Sequence, residues 1–116
     1  MELQTVLYEV ADGVAVVTLN RPEAMNAWTP QLSDELTIAM GMADTDDNVR
    51  VIVLTGAGKA FCAGADLSGG EDGFRGGEAS SYDGPRRWPH QTSKPVIAAI
   101  NGHAVGVGIT YPMLAD

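Results

Sequence analysis

The residues best suited to chemistry lie in two loops of small residues, KAFCAGADL at 59–67 and NGHAVGVG at 101–108. Glycine and alanine leave the backbone N–H groups of such loops unhindered, because no bulky side chain shields them. Two N–H groups that converge on one point form an oxyanion hole, which stabilises negative charge as it develops on a carbonyl oxygen. We therefore expect the two loops to act together on a carbonyl such as that of a thioester, whose oxygen becomes negative when an enolate forms.

Apolar runs predict the strands that support these loops. Residues 49–54 are rich in β-branched side chains and are closed by Gly56 and Gly58, and residues 96–100 form a second such run directly before the second loop. Two further runs, at 6–10 and 14–19, are separated by turn residues and read as a hairpin. Four strands are therefore predicted, at 6–10, 14–19, 49–55 and 96–100.

Caps and apolar spacing predict the helices. Thr29 suits an N-cap and Pro30 a first helical residue, and apolar residues recur on one face as far as residue 43, so a helix is expected at about 30–43. A short helix is expected around 86–91. A last helix is expected from Ile109 onward and no earlier than about Val107, because Pro112 fits only a first turn. If Val107 lies in that turn, the helix dipole adds to the attraction for negative charge.

The composition is that of one globular domain. The chain has 116 residues, of which 45% are hydrophobic and 19% charged, which is enough for one modest core and too little for two. Residues 68–84 hold six glycines and few apolar side chains, which predicts a mobile surface loop. The order of strands and helices indicates an α/β layered domain.

Charge and cysteine content restrict the partners. Seven basic and fifteen acidic residues give a net charge of −8, which repels phosphate backbones and anionic lipid, so we expect neither nucleic acid nor a membrane as partner. Local N–H groups and basic side chains outweigh net charge at contact distance, so a small anionic ligand is still compatible. The lone Cys62 cannot form an internal disulfide, and no leader pattern or apolar run of about 18 residues occurs, so a cytoplasmic protein is expected.

Neither loop fits a nucleotide-binding pattern. GAGKAFCAG lacks the terminal Lys and Ser or Thr of a P-loop, and GHAVGVG lacks the first two glycines at the separation of a dinucleotide fingerprint. The acidic residues Asp44, Asp46 and Asp47 are interpreted as a solvated turn, so no metal site is expected.

Three segments together resemble a known family. VAVVTLNRPEAMNAW, DNVRVIVLTGAGKAFCAGADL and KPVIAAINGHAVGVG lie in this order over nearly the whole chain, and with them it resembles the N-terminal half of the enoyl-CoA hydratase/isomerase (crotonase) superfamily. The resemblance implies an α/β crotonase-like spiral of ββα units, with residues 1–116 as a single domain that is incomplete at its C-terminus. A full-length protein of this type would be a homotrimer or a dimer of trimers.

The resemblance also assigns the catalytic groups. The N–H groups of Ala65 and Val107 would hold the thioester oxygen of an acyl-CoA. Thr110 stands where hydratases carry the first of two glutamates that activate water, and a hydroxyl near its normal pKa cannot serve as that base. The second glutamate would lie beyond residue 116.

A coenzyme A groove follows from the same resemblance. Its residues would be Ala63, Asp66 and Leu67, with Met25 and Ala27 on the opposite wall. Arg21 would reach a coenzyme A phosphate or form a surface salt bridge, and Asp66 would line the site or cap a short helix; both pairs of alternatives stay open. Coenzyme A enters as part of the substrate, so no separate cofactor is expected.

The implied function is that of an acyl-CoA enzyme, with hydration of a 2-enoyl-CoA in fatty-acid or related acyl-CoA metabolism as the default reaction. Isomerisation, hydrolysis or decarboxylation on the same scaffold would use a different base. The alternative is a catalytically silent acyl-CoA-binding or interaction domain, or an inactive fragment. Other candidates are interpreted as packing or hydrogen-bonding residues: Cys62, His90, His103, Trp28 and Trp88.

Overall fold

A four-stranded sheet forms the larger layer of the protein. The computed structural model describes residues 2–66 and 84–116. Strands β1 (Val6–Ala11) and β2 (Val14–Leu19) form the predicted antiparallel hairpin. Strands β3 (Val51–Gly56) and β5 (Val96–Ala98) add to β2 in parallel, which gives the order β1-β2-β3-β5. Asp12 and Gly13 close the hairpin with φ values of 54° and 82°, which aspartate tolerates and glycine adopts freely.

Helix α1 (Pro30–Thr45) covers this sheet and confirms the predicted helix. It begins as expected: the hydroxyl of Thr29 accepts the N–H of Leu32 at 3.1 Å, and Pro30 is the first helical residue. At its other end the Lys94 ammonium donates to the carbonyls of Ala43 and Asp46, at 2.7 and 2.5 Å. A cation there satisfies carbonyls that have no partner within the helix.

The core lies between α1 and the sheet. Alternate side chains of β2 and β3 are buried, as expected for strands with one covered face. The buried apolar residues include Val6, Ala15, Val17, Leu19, Leu32, Leu36, Ala39, Met40, Ala43, Ile52, Leu54, Phe61, Cys62, Val96 and Tyr111. Four large apolar side chains in the last part of the chain are exposed: Ile97, Ile100, Ile109 and Met113 are 54%, 47%, 45% and 75% exposed.

A second, smaller sheet was not expected. Strand β4 (Ala60–Cys62) pairs in parallel with β6 (His103–Ala104), so part of each glycine-containing loop is extended. These strands are too short for an apolar pattern to reveal, and their pairing depends on residues about forty positions apart. The loops are therefore held by their own sheet and not only by the strands before them.

Other boundaries differ from the predictions. Strand β3 begins at Val51 because the N–H groups of Val49 and Arg50 turn to the carbonyls of Asp46 and Gly13. Strand β5 ends at Ala98. The helix expected around 86–91 is only a 3₁₀ turn at Pro89–Gln91. Residues 68–83 of the expected mobile loop lie outside the described residues.

The last helix starts at the earliest predicted position. Helix α2 (Val107–Thr110) has four residues and passes into a 3₁₀ turn at Pro112–Leu114. Proline at the first position of that turn explains the change, because its ring cannot continue an α-helix. In the described parts of the chain, no helix is long and apolar enough to cross a membrane. The same residues contain no cluster of His, Cys, Asp and Glu that could hold a metal ion.

Candidate functional site

Parallel pairing of β4 and β6 brings the two small-residue loops side by side. Ala60 pairs with His103 and Cys62 with Ala104, and the carbonyl of Cys62 accepts the N–H of Val105 at 3.1 Å. Because both strands run in the same direction, the loops that follow them leave from the same edge. Segments 63–66 and 105–108 are thereby neighbours in space.

Two glycines let these segments touch. Gly64 and Gly106 have φ values of 99° and 58°, which few other residues adopt. A Cβ added to Gly106 would lie 4.0 Å from the Cα of Gly64, and one added to Gly64 would lie 3.0 Å from the carbonyl oxygen of Val105. Ala65 follows Gly64 and Val107 follows Gly106, so the peptide groups that carry their N–H groups are neighbours in space.

Both N–H groups are available to a ligand. Ala65 is exposed and Val107 is half-buried. Within residues 2–66 and 84–116, neither N–H has a hydrogen-bond acceptor, although the amides of Ala63, Asp66 and Gly108 around them are bonded. Val107 is also the first residue of α2, where N–H groups point out of the helix. The geometry therefore offers two adjacent donors of the kind that an oxyanion hole needs.

Gly108 fixes the distance between α2 and β4. The residue is buried, and an added Cβ would overlap the carbonyl oxygen of Cys62. Only glycine allows the first turn of α2 to approach β4 this closely. The sequence places this glycine in a loop of small residues that leave N–H groups unhindered, and the structure adds that it allows close packing.

The segment 25–28 lies directly beside the first loop. The carbonyl of Met25 accepts the N–H of Ala63 at 3.1 Å. The backbone N–H of Trp28 donates to the carbonyl of Gly64 at 2.7 Å, and the Trp28 carbonyl accepts the N–H of Asp66 at 2.9 Å. The residues expected on two walls of a groove thus belong to two segments that hydrogen-bond to each other. Met25 is exposed, and Ala27 is half-buried.

Arg21 links the same two segments through its side chain. Its guanidinium lies 3.2 Å from the Asp66 carboxylate and donates to the carbonyl of Ala27 at 2.5 Å. The Arg21 and Asp66 side chains are 20% and 17% exposed, so the ion pair is partly buried. Of the two alternatives for Arg21, the structure shows a salt bridge. A helix capped by Asp66 would lie in residues outside the described part, as does the predicted groove residue Leu67.

Thr110 lies on the last residue of α2 and is exposed. Its hydroxyl donates to the carbonyl of Gly106 at 3.3 Å, one turn earlier. This bond is a common local arrangement for threonine in a helix and leaves a weak acceptor in place of a carboxylate.

The remaining candidates are structural or surface residues. Cys62 is fully buried, and burial raises the pKa of its thiol. His90 and His103 are exposed. Trp28 and Trp88 both pack against Tyr111, with their ring centroids 5.1 and 5.5 Å from that of the tyrosine, which agrees with a packing role.

Sequence reasoning missed two residues near the site. Tyr111 is 2% exposed, and burial raises the pKa of its hydroxyl, which has no hydrogen-bond partner within the described residues. Asn26 is fully buried between segments 21–28 and 57–60. An asparagine in a loop gives no hydrophobic signal, so only its tolerance of turn conformations could have suggested a structural role.

Known proteins share this sequence and this fold. Residues 9–116 match the enoyl-CoA hydratase/isomerase family. The chain is 45% identical over 115 residues to an (E)-benzylidenesuccinyl-CoA hydratase of Thauera aromatica, covering 96% of this chain and 44% of that protein. It is 40% identical over 119 residues to a probable enoyl-CoA hydratase of Rhodobacter capsulatus, covering 100% of this chain and 46% of the relative.

Solved structures of enoyl-CoA hydratases/isomerases share the fold of this chain. A crystal structure of a probable enoyl-CoA hydratase/isomerase from Mycobacterium abscessus superposes with a TM-score of 0.80 at 42% identity, covering 96% of this chain and 43% of that one. A putative enoyl-CoA hydratase/isomerase (crotonase) from Legionella pneumophila gives 0.81 at 33% identity, covering 99% and 47%. The chain therefore spans about half the length of the proteins it matches and corresponds to their N-terminal part.

Proposed function

Because this chain belongs to the enoyl-CoA hydratase/isomerase family, we propose that it binds an acyl-CoA thioester through the N–H groups of Ala65 and Val107. These two donors would share the thioester oxygen and stabilise the enolate that forms when a proton leaves the α-carbon, or when water loses a proton and adds to the β-carbon of a 2-enoyl thioester. The observation that carries the proposal is the pair of adjacent amides that have no acceptor among the residues the structure describes. Loss of one such donor costs about a hundredfold to a thousandfold in rate in enzymes of this kind.

Hydration of a 2-enoyl-CoA in fatty-acid or related acyl-CoA metabolism is the reaction we propose for the protein that contains this chain. Relatives named as enoyl-CoA hydratases support it. The coenzyme A moiety would run past Ala63, Asp66 and Leu67, with Met25 and Ala27 opposite. A cytoplasmic location stays a prediction from the sequence, and assembly of the full-length protein as a homotrimer or a dimer of trimers stays a prediction from the resemblance.

One observation favours a second candidate function. Thr110 occupies the position that the resemblance assigns to a glutamate, and its hydroxyl is engaged with the carbonyl of Gly106. A chain with both donors and without that base would bind an acyl-CoA and leave it unchanged, as a silent binding domain does. Binding of crotonyl-CoA with no change in its enoyl absorbance would favour this candidate over hydration.

The test removes the Ala65 N–H; the ester that replaces this amide also makes the carbonyl of Gly64, which accepts the N–H of Trp28 at 2.7 Å, a weaker acceptor. The chain is assembled by peptide ligation with an ester bond replacing the Ala65 amide, and the carbonyl ¹³C resonance of bound [1-¹³C]butyryl-CoA is compared with that of the unmodified chain. Hydrogen bonds to the oxygen move this resonance downfield, so the ester is expected to reduce the shift. An ester at Ala27, whose N–H donates to Ala24 at 3.0 Å, serves as the matched control.

Two outcomes decide the proposal. A bound-state shift that is present in the unmodified chain and in the Ala27 ester, and smaller in the Ala65 ester, supports it. Equal shifts in all three chains would refute the assignment of Ala65. The variant Ala65→Pro deletes the same N–H by ordinary mutagenesis, and we expect it to behave as the ester does.

A further inference from the structure

Asn26 is a buried polar side chain near the site whose amide nitrogen and oxygen both have hydrogen-bond partners. It has no exposed surface, and its Nδ2 donates to the carbonyls of Ala57 and Ala60 at 2.9 Å each. Its Oδ1 accepts the N–H of Arg21 at 2.7 Å. Buried side-chain amides with both ends paired hold a loop in one arrangement, because breaking any of the bonds leaves a buried polar group without a partner. Asn26 thereby joins the segment 21–28 to the turn between β3 and β4.

The backbone around Asn26 is held in an uncommon conformation. Met25 and Asn26 both have left-handed φ values, 54° and 56°. Asparagine tolerates this region, whereas methionine adopts it only when its surroundings require it. Two such residues in succession turn the chain sharply, and the carbonyl of Met25 is then in position to accept the N–H of Ala63 at 3.1 Å.

The same segment flanks the first donor from both sides. One bond, from Ala63 to Met25, precedes Ala65 in the chain, and the two bonds of Trp28 engage Gly64 and Asp66 immediately before and after it. The N–H of Ala65 takes no part in these three hydrogen bonds. The direction of that N–H is therefore set by segment 25–28, which Asn26 anchors.

We propose that Asn26 is a positioning residue for the Ala65 N–H. This inference rests on the proposed function, since it concerns the aim of one of its two donors. Asn26 does not touch the ligand; it fixes the turn that carries Met25 and Trp28, and these fix residues 63–66. A displacement of about 1 Å at a reacting group can cost about a hundredfold in rate, so the anchoring of this turn matters to the chemistry.

The test uses two ligands that differ only at the carbonyl. Butyryl-CoA has a thioester, and S-butyl-CoA carries a methylene in place of the carbonyl group. The ratio of their dissociation constants, measured by calorimetry, reports the interaction with the oxygen alone. A variant that merely unfolds part of the protein weakens both ligands equally and leaves the ratio unchanged, so the ratio separates positioning from stability.

Asn26→Ala is expected to reduce the preference for the thioester by about tenfold, which corresponds to roughly one hydrogen bond. Glu35→Ala is the matched control. Glu35 is a buried polar residue of α1 that accepts the N–H groups of Gln4 and Thr5 at 2.6 and 2.8 Å, so its loss destabilises the fold without removing a hydrogen bond of either loop. We expect this control to keep the preference of the parent chain.

A second variant covers the case in which Asn26→Ala does not fold. Asn26→Asp keeps the side-chain shape and the acceptor for Arg21 but loses both donated bonds, and we expect it to lower the ratio as well. A ratio that stays at the parent value in whichever Asn26 variant folds overturns the inference while leaving the proposed function intact. A parent chain that binds both ligands equally overturns the proposed function, and this inference with it.

Discussion

Replacing Gly108 with alanine is expected to push α2 away from β4. The added Cβ would overlap the carbonyl oxygen of Cys62 and lie 2.9 and 3.0 Å from the Cβ and carbonyl carbon of the same residue. None of these atoms is the free end of a flexible side chain, so the cysteine cannot move aside. The first turn of α2 must shift instead, and the Val107 N–H moves with it.

The change in the free energy of unfolding caused by Gly108→Ala follows from two opposed effects. Overpacking of a close-packed site costs about 1–3 kcal/mol, whereas alanine is preferred to glycine inside a helix by at most about 1 kcal/mol. We therefore expect Gly108→Ala to lower the free energy of unfolding by about 1–2 kcal/mol. Gly41 provides the matched control: it lies inside α1, and an added Cβ there meets nothing within 4 Å. Gly41→Ala should raise the free energy of unfolding by about 0.5–1 kcal/mol.

Urea unfolding followed by circular dichroism measures both changes. The butyryl-CoA to S-butyl-CoA ratio measures the second consequence, because displacement of the Val107 N–H should weaken binding of the thioester more than that of the thioether. The Gly41 variant should leave the ratio unchanged. If Gly108→Ala proved as stable as the parent chain and kept its thioester preference, the close approach of α2 to β4 would not be what positions the second donor.

The remaining predictions concern titration and reactivity. Burial raises the pKa of the Asp44 carboxyl, but hydrogen bonds from Ser93 and the charges of Arg87 and Lys94 outweigh it, so the pKa lies below its usual range. The stability that this carboxylate contributes is then present above about pH 4 and lost as the pH falls through the lowered pKa. The difference in unfolding free energy between the parent chain and Asp44→Asn should therefore shrink in that pH window. A difference that stayed constant down to about pH 2 would contradict the assignment. The raised pKa and full burial of Cys62 predict no alkylation by iodoacetamide at about pH 7.5 until urea unfolds the chain, as followed by mass spectrometry; labelling of the folded protein at the rate of free glutathione would show that the thiol is accessible.

The sequence predicted those parts of the fold that depend on local pattern. Thr29 and Pro30 predicted the start of α1, and the β-branched run before Gly56 predicted β3, because caps and apolar periodicity are properties of neighbouring residues. The pairing of β4 with β6 could not be found in this way. It depends on contacts between residues about forty positions apart, in segments of two and three residues.

The site shows the same division. The two loops were identified from their small residues, and the position of Val107 at the start of α2 followed from Pro112. A salt bridge of Arg21 could be suggested only as one of two alternatives and without its partner, because a charged side chain in a loop can find several partners; the pairing with Asp66 came from the structure. The role of Asn26 depends on which carbonyls surround it, and no local pattern encodes that.

The two open N–H groups have a consequence for mutational tolerance. Every encoded residue except proline carries a backbone N–H, so almost any substitution at Ala65 or Val107 keeps the donor, and only steric fit restricts the choice. The arrangement of the two N–H groups depends instead on residues that need not contact a ligand, such as Gly64, Gly106 and Gly108. In a mutational scan these three positions should therefore tolerate far fewer substitutions than Ala65 and Val107.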